Sequence, residues 1–159
     1  MIESELQLGK REITSEEIGK TFSIDYKKLV TDTLRRVITG NHSLSFFESS
    51  KGHEGSQALY LAEEMVGKDM VFVSYLGPNG RTTIHKHQEP IRENYFQLAG
   101  FSRLLLGNSF HDLKAGSALT VPSDVFHQLI TGNSPSLVLI VMENAISVPR
   151  DKLHIPVGL

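Results

Sequence analysis

Cysteine and tryptophan are both absent from the 159-residue chain. Without a thiol there is no disulfide, thiolate nucleophile, iron–sulfur cluster or cysteine-type zinc finger, so any metal must be held by histidines and carboxylates. Charge of one sign is also lacking. Sixteen Lys and Arg against 18 Asp and Glu leave a formal net charge of -2, which offers no global attraction to nucleic acid or an anionic membrane. The longest apolar run, Leu137–Met142, is far short of the roughly 20 residues that span a bilayer and reads as a buried strand. The acidic start, Met1-Ile2-Glu3-Ser4-Glu5-Leu6, has neither the basic residues nor the apolar stretch of a secretory signal, so a cytoplasmic location is expected. No Gly-x-Ser-x-Gly elbow supports a serine nucleophile, and Gly77-Pro78-Asn79-Gly80 sits between two strand-like runs, where it cannot open a phosphate-binding helix.

With 40% hydrophobic and 21% charged residues, the chain can bury a core, and its length suits one domain. Thr14-Ser15-Glu16-Glu17 resembles a short helix start, but little apolar periodicity follows, and residues 1–22 are expected to be partly mobile or packed on a partner. From Asp25 to Thr39, apolar residues at Tyr26, Leu29, Val30, Leu34, Val37 and Ile38 form one helical stripe, with Gly40 as a stop. Such a stripe must cover one end of a barrel or meet another subunit. Beyond Gly40, short apolar runs alternate with turn residues through Met142, the texture of a sandwich or barrel. The expected division is an arm over 1–45, a β-barrel over 46–148 and a tail over 149–159.

The segment richest in chemistry is His85-Lys86-His87. Strand side chains alternate faces, so the two imidazoles point the same way. With a carboxylate they suit a divalent first-row metal, although the pair alone also fits histidines satisfied in a core or exposed to solvent. Glu93 is followed after six residues by Gly100, and Gly116 after five by Pro122 and then by His127. This two-part order, Gly80…His85-Lys86-His87…Glu93…Gly100 and Gly116…Pro122…His127, resembles the cupin superfamily over roughly residues 58–145.

The resemblance implies an all-β fold, a single cupin-type double-stranded β-helix or jelly-roll barrel behind an N-terminal helical arm. It implies His85, His87, Glu93 and His127 as ligands of a divalent metal, iron, nickel, manganese or zinc. Departures from the pattern are a Gly80 one residue close to His85 and a loop before Glu93 one residue long. Asp124 and Thr131 stand where Gly and Asn are usual. The long loop makes Glu89 a rival carboxylate, and Glu93 is favoured by its spacing to Gly100.

If Glu93 faces inward, alternation carries Tyr95 and Gln97 inward too, and His127 carries Leu129 and Thr131. Arg81 and Thr83, in phase with His85, would line the mouth, where Arg81 would favour an anionic ligand. Gln97, Tyr95, Arg81 and Thr83 are therefore the candidate substrate contacts. His42, His53, His111 and His154 have no partner at ligand spacing and read as surface histidines. Three histidines and one glutamate leave coordination positions open, which suits a small-molecule enzyme of dioxygenase or sugar-phosphate isomerase type. The alternative is a non-catalytic cupin that binds a small molecule or sugar as a regulatory module. A homodimer is expected from the resemblance.

Overall fold

Two helices open the fold, α1 (Ser15–Phe22) and α2 (Tyr26–Val37). The Thr14 hydroxyl accepts from the Glu17 amide at 3.1 Å while the Glu17 carboxylate accepts from the Thr14 amide at 3.4 Å, a reciprocal cap that fixes where α1 starts. Asp25 caps α2 by accepting from the Lys28 amide at 3.3 Å. The computed structural model describes residues 13–38, 42, 44–47, 49–51 and 56–156, so the expectations placed on residues 1–12, Gly40 and His53 lie outside the described residues.

The strands are β1 (Ser50–Lys51), β2 (Leu59–Val66), β3 (Asp69–Leu76), β4 (His85–Lys86), β5 (Arg92–Leu106), β6 (Ser109–Lys114), β7 (Ala118–Val121), β8 (His127–Ile130), β9 (Ser136–Glu143) and β10 (Ile155–Pro156). They pair antiparallel in the order β1-β2-β3-β9-β5-β8-β4-β10, with β6 and β7 also joined to β5. β5 curls the sheet. Its first half pairs with β7 and β9, its second with β6 and β8, and the register slips between Gln97 and Ala99. Gly100 follows at φ 72°, where a Cβ would lie 2.0 Å from the Pro135 carbonyl oxygen, so only glycine lets the chain cross between the two halves. The result is a curled antiparallel half-barrel with a helical arm, the all-β architecture expected of a jelly-roll barrel.

Two apolar layers share this sheet. Tyr60, Phe72, Val138, Ile140 and Met142 face the barrel interior. On the opposite face Leu61, Val71, Val73, Leu137, Leu139 and Val141 pack under Ile18, Tyr26, Val30 and Leu34. The helices therefore cover the outer face of the sheet, neither capping a barrel end nor waiting for another subunit, and residues 13–22 are packed there as well. A strand buried on both faces needs apolar residues at every position, which explains the unbroken run Leu137–Met142. Burying each large side chain of that layer contributes roughly 1.5–3 kcal/mol.

After β9 the chain makes two short 3-10 turns, Ala145–Ser147 and Arg150–Lys152, and returns to the barrel. Leu153 is buried in the interior cluster, and β10 pairs with β4 at Ile155 to Lys86 and Pro156 to His85. No helix among the described residues is long and apolar enough to cross a membrane.

Candidate metal centre

His85 on β4 stands directly opposite His127 on β8, and directly paired strand residues share a face, so the two rings meet with centroids 4.3 Å apart. His87 follows one residue past β4, its ring 5.0 Å from each of the others. Glu93, inward on β5, completes the group. All four are buried, and one ligand atom from each lies within 4.8 Å of every other. Glu89 is exposed at a turn and takes no part.

The hydrogen bonds around the rings decide what the group can hold. Nδ1 of His85 faces the Thr83 carbonyl at 2.9 Å, Nδ1 of His127 faces the Val125 carbonyl at 3.0 Å, and Nδ1 of His87 faces the Leu153 carbonyl. A carbonyl only accepts, so each Nδ1 carries a proton, and wherever the ring is neutral its Nε2 turns a bare lone pair toward the centre. There they meet a carboxylate, which also only accepts. His127 Nε2 lies 3.0 Å from Glu93 Oε1 and His87 Nε2 lies 3.1 Å from Oε2. The second approach is close but out of line for a hydrogen bond, so the buried His87 Nε2 has no hydrogen-bond partner. Lone pairs crowded this way require a cation among them, a shared proton or a metal ion. Ligands about 2.1 Å from a metal at right angles sit about 3.0 Å apart, the spacing of the two imidazole–carboxylate contacts. The donor set fits a divalent ion.

Protonation follows the same geometry. Burial, helped by the neighbouring His127, pushes His85 down to about 2, so its ring is neutral and ready to ligate. Burial also opposes a proton on His87, but the negative charge of Glu93 beside it and the Leu153 carbonyl outweigh it and raise the value. At Glu93 the desolvation cost is overcome by His87 and His127, which hold the carboxyl well below its ordinary range. Tyr95, buried and beside the negative charge of Glu93, stays a neutral phenol.

A pocket opens on one side of the group, walled by Tyr60, Phe72, Ser74, Thr82, Tyr95 and His154 around His85 and Glu93. Its free volume of about 20 Å³ is room for an ordered water. Of the expected substrate contacts, Tyr95 lines it. Gln97 does not: the bulge after it turns its amide into the protein, where it donates to the Ala99 carbonyl and to Ser136 at 2.9 Å each and accepts from Ser102 at 2.8 Å. Arg81 is exposed, and the Thr83 backbone serves as the acceptor for His85. Residues 82–84 form no strand, so parity counted back from His85 fails and Thr82 reaches the pocket instead.

His154 is the residue that sequence reasoning missed. Far from being a surface histidine without partners, it is half-buried, with its ring 5.1 Å from both His85 and His87 and edge-on to Phe72. No spacing could have shown this, because Leu153 lies 66 residues from His87 and only the β10–β4 pairing joins them. His42 and His111 are half-buried and outside the cluster. Two departures from the motif have local reasons. Asp124 adopts a left-handed φ of 62°, a conformation that Gly takes freely and Asp tolerates. Thr131 accepts from the Gly80 amide at 2.8 Å and donates to the Gly77 carbonyl, tying down the turn before β4.

No protein-family model and no curated protein matches the chain. Solved structures do. It is similar to a cupin-like protein from Thermotoga maritima, at 20% identity and TM-score 0.57 over 72% of this chain and 89% of that one. The fold is that of the cupins. A cupin-2 domain protein from Rhodospirillum rubrum matches at 16% identity and TM-score 0.56, over 72% of this chain and 76% of that one. The polyketide cyclase RemF from Streptomyces resistomycificus matches at 19% identity and TM-score 0.59, over 70% and 80%. Within this cupin fold, the His-His-Glu-His group stands on the inner face of the barrel, where two neighbouring strands and β5 converge.

Proposed function

We propose that the chain is a metal-dependent enzyme acting on a small oxygen-bearing molecule, with His85, His87, Glu93 and His127 holding a divalent iron, nickel, manganese or zinc ion. The observation that carries the proposal is the set of Nε2 lone pairs aimed at a buried carboxylate, each ring fixed by its Nδ1 proton on a backbone carbonyl. Such an ion, when bound, polarises a substrate oxygen as a Lewis acid and, if redox-active, supports oxygen chemistry.

The chain's own residues supply the rest. Phe72, Leu129 and Ile140 give the pocket an apolar side, and a low-dielectric wall strengthens the polar contacts next to it. Burial keeps the Tyr60 and Tyr95 phenols protonated, so each is a hydroxyl and not a phenolate at the wall. The pocket wall carries no Lys or Arg among the described residues. The metal group as arranged suits oxygenation and sugar-phosphate isomerisation alike, the two reaction types expected. The likeness in fold to a polyketide cyclase supports a small-molecule substrate and no finer class. A cytoplasmic location and a homodimer belong to the same proposal. Phe101 and Phe110 stay 40% and 58% exposed on the β5–β6 hairpin, and sedimentation of a monomer at micromolar concentration would refute the dimer.

Elemental analysis of protein purified without an affinity tag tests the reading. Near-stoichiometric metal, lost in His127→Ala, is the expected result and directs screening to oxygen uptake. A protein that takes up no metal even after reconstitution refutes it.

A further inference from the structure

The C-terminal segment does more than close the sheet. Its backbone supplies the Leu153 carbonyl that fixes the His87 ring, and the next residue puts an imidazole into the pocket wall. The placement is held from both sides: Leu153 is buried in the barrel core, Arg150 pairs with Glu63, and Ile155 and Pro156 pair with the strand bearing His85. Phe72 meets the His154 ring edge-on. A side chain on a segment anchored in this way is positioned in advance for whatever enters the pocket.

The pocket touches His85 and Glu93 on one side and His154 on another, so a small ligand seated beside the metal group is within reach of this ring. The remaining wall is apolar apart from Tyr60, Tyr95, Ser74 and Thr82. We propose that His154 is a substrate-contacting residue of this site, offering a ring N–H to an anionic or carbonyl oxygen of the molecule in the pocket. The proposal rests on the metal-enzyme reading above and adds a residue from outside the two motifs.

The test uses the full chain reconstituted with Co2+ and titrated with azide, a small anion that reports on the open face through the visible spectrum. His154→Ala is expected to bind Co2+ within twofold of the parent but azide about tenfold more weakly, the worth of one hydrogen bond to an anion. His154→Gln, which retains an N–H donor, is expected to recover part of the loss. Unchanged azide affinity in His154→Ala, or an azide loss matched by an equal loss of Co2+ affinity, overturns the proposal while leaving the metal reading standing. Failure of the parent protein to take up Co2+ overturns both.

Discussion

Glu93→Gln separates the cost of the buried carboxylate from its use. In the metal-free protein Glu93 is a buried anion whose charge raises His87, so that ring is the one best able to take up a balancing proton. Removing one partner of a buried ion pair usually costs about 3–5 kcal/mol, because the other charge is stranded. Here it is not stranded. His87 can release its proton, and the new amide can donate to the bare Nε2 of His87 or His127, which lie 3.1 and 3.0 Å from the carboxylate oxygens. Metal-free Glu93→Gln is therefore expected to unfold within about 1 kcal/mol of the parent. With metal at a hundred times the parent dissociation constant, binding stabilises the parent by about 2.7 kcal/mol, and a hundredfold weaker variant by only about 0.4 kcal/mol. At about 2–4 °C per kcal/mol for a chain of this size, metal should raise the parent Tm by about 5–11 °C and the variant Tm by about 1–2 °C. Thermal unfolding with chelator and with added metal reads both numbers. A variant destabilised by more than about 3 kcal/mol without metal, or one that keeps the full metal-induced rise, refutes the reasoning.

Acid should unfold the metal-free protein selectively. Between pH 6.5 and 4.5 the unfolded His85 takes up a proton that the folded site, at about 2, refuses, so stability falls as pH drops. His87 adds no slope there, because its raised value makes its contribution fully present below 6.5 and lost only as pH climbs above it. Urea denaturation at pH 6.5, 5.5 and 4.5 should show up to about 1.4 kcal/mol lost per pH unit in the parent and a flatter line in His85→Asn. Gly100→Ala meets the Pro135 carbonyl and should lose most folded protein, whereas Gly116→Ala, equally left-handed but with nothing within 4 Å, should cost only about 1–3 kcal/mol; equal losses would refute the crossing argument. Gln97→Ala should destabilise by about 1–3 kcal/mol while leaving metal uptake intact, and a selective loss of metal or ligand binding would return Gln97 to the pocket. Leu34→Ala should cost about 2–5 kcal/mol in chemical denaturation, and a negligible change would mean the helices do not cover the sheet.

Much of this protein was legible along the chain because the relevant signals are local. The apolar stripe of Tyr26, Val30 and Leu34 repeats within one helix, and His85 with His87 share a face because two residues is the period of a strand. The two motifs, each confined to a short stretch of chain, carried the jelly-roll fold and brought into view the four residues that the barrel gathers. Thr82 against Thr83 shows where local counting stops, since periodicity holds only while the backbone stays extended, and residues 82–84 do not form a strand. Gln97 kept the right parity and still failed as a pocket residue, because a bulge beside it and two serines from elsewhere in the barrel satisfied its amide.

What the sequence determined by itself was therefore the class of fold, the inward face of each regular strand and the chemistry of the ligand types. Only the tertiary structure decided how those groups are tuned. It set the Nδ1 protons on three carbonyls, covered the outer face of the sheet with the helical arm, and brought His154 to the pocket through the pairing of β10 with β4. These contacts join residues far apart along the chain, and no period or spacing in one sequence encodes which distant backbone will supply a carbonyl or an imidazole.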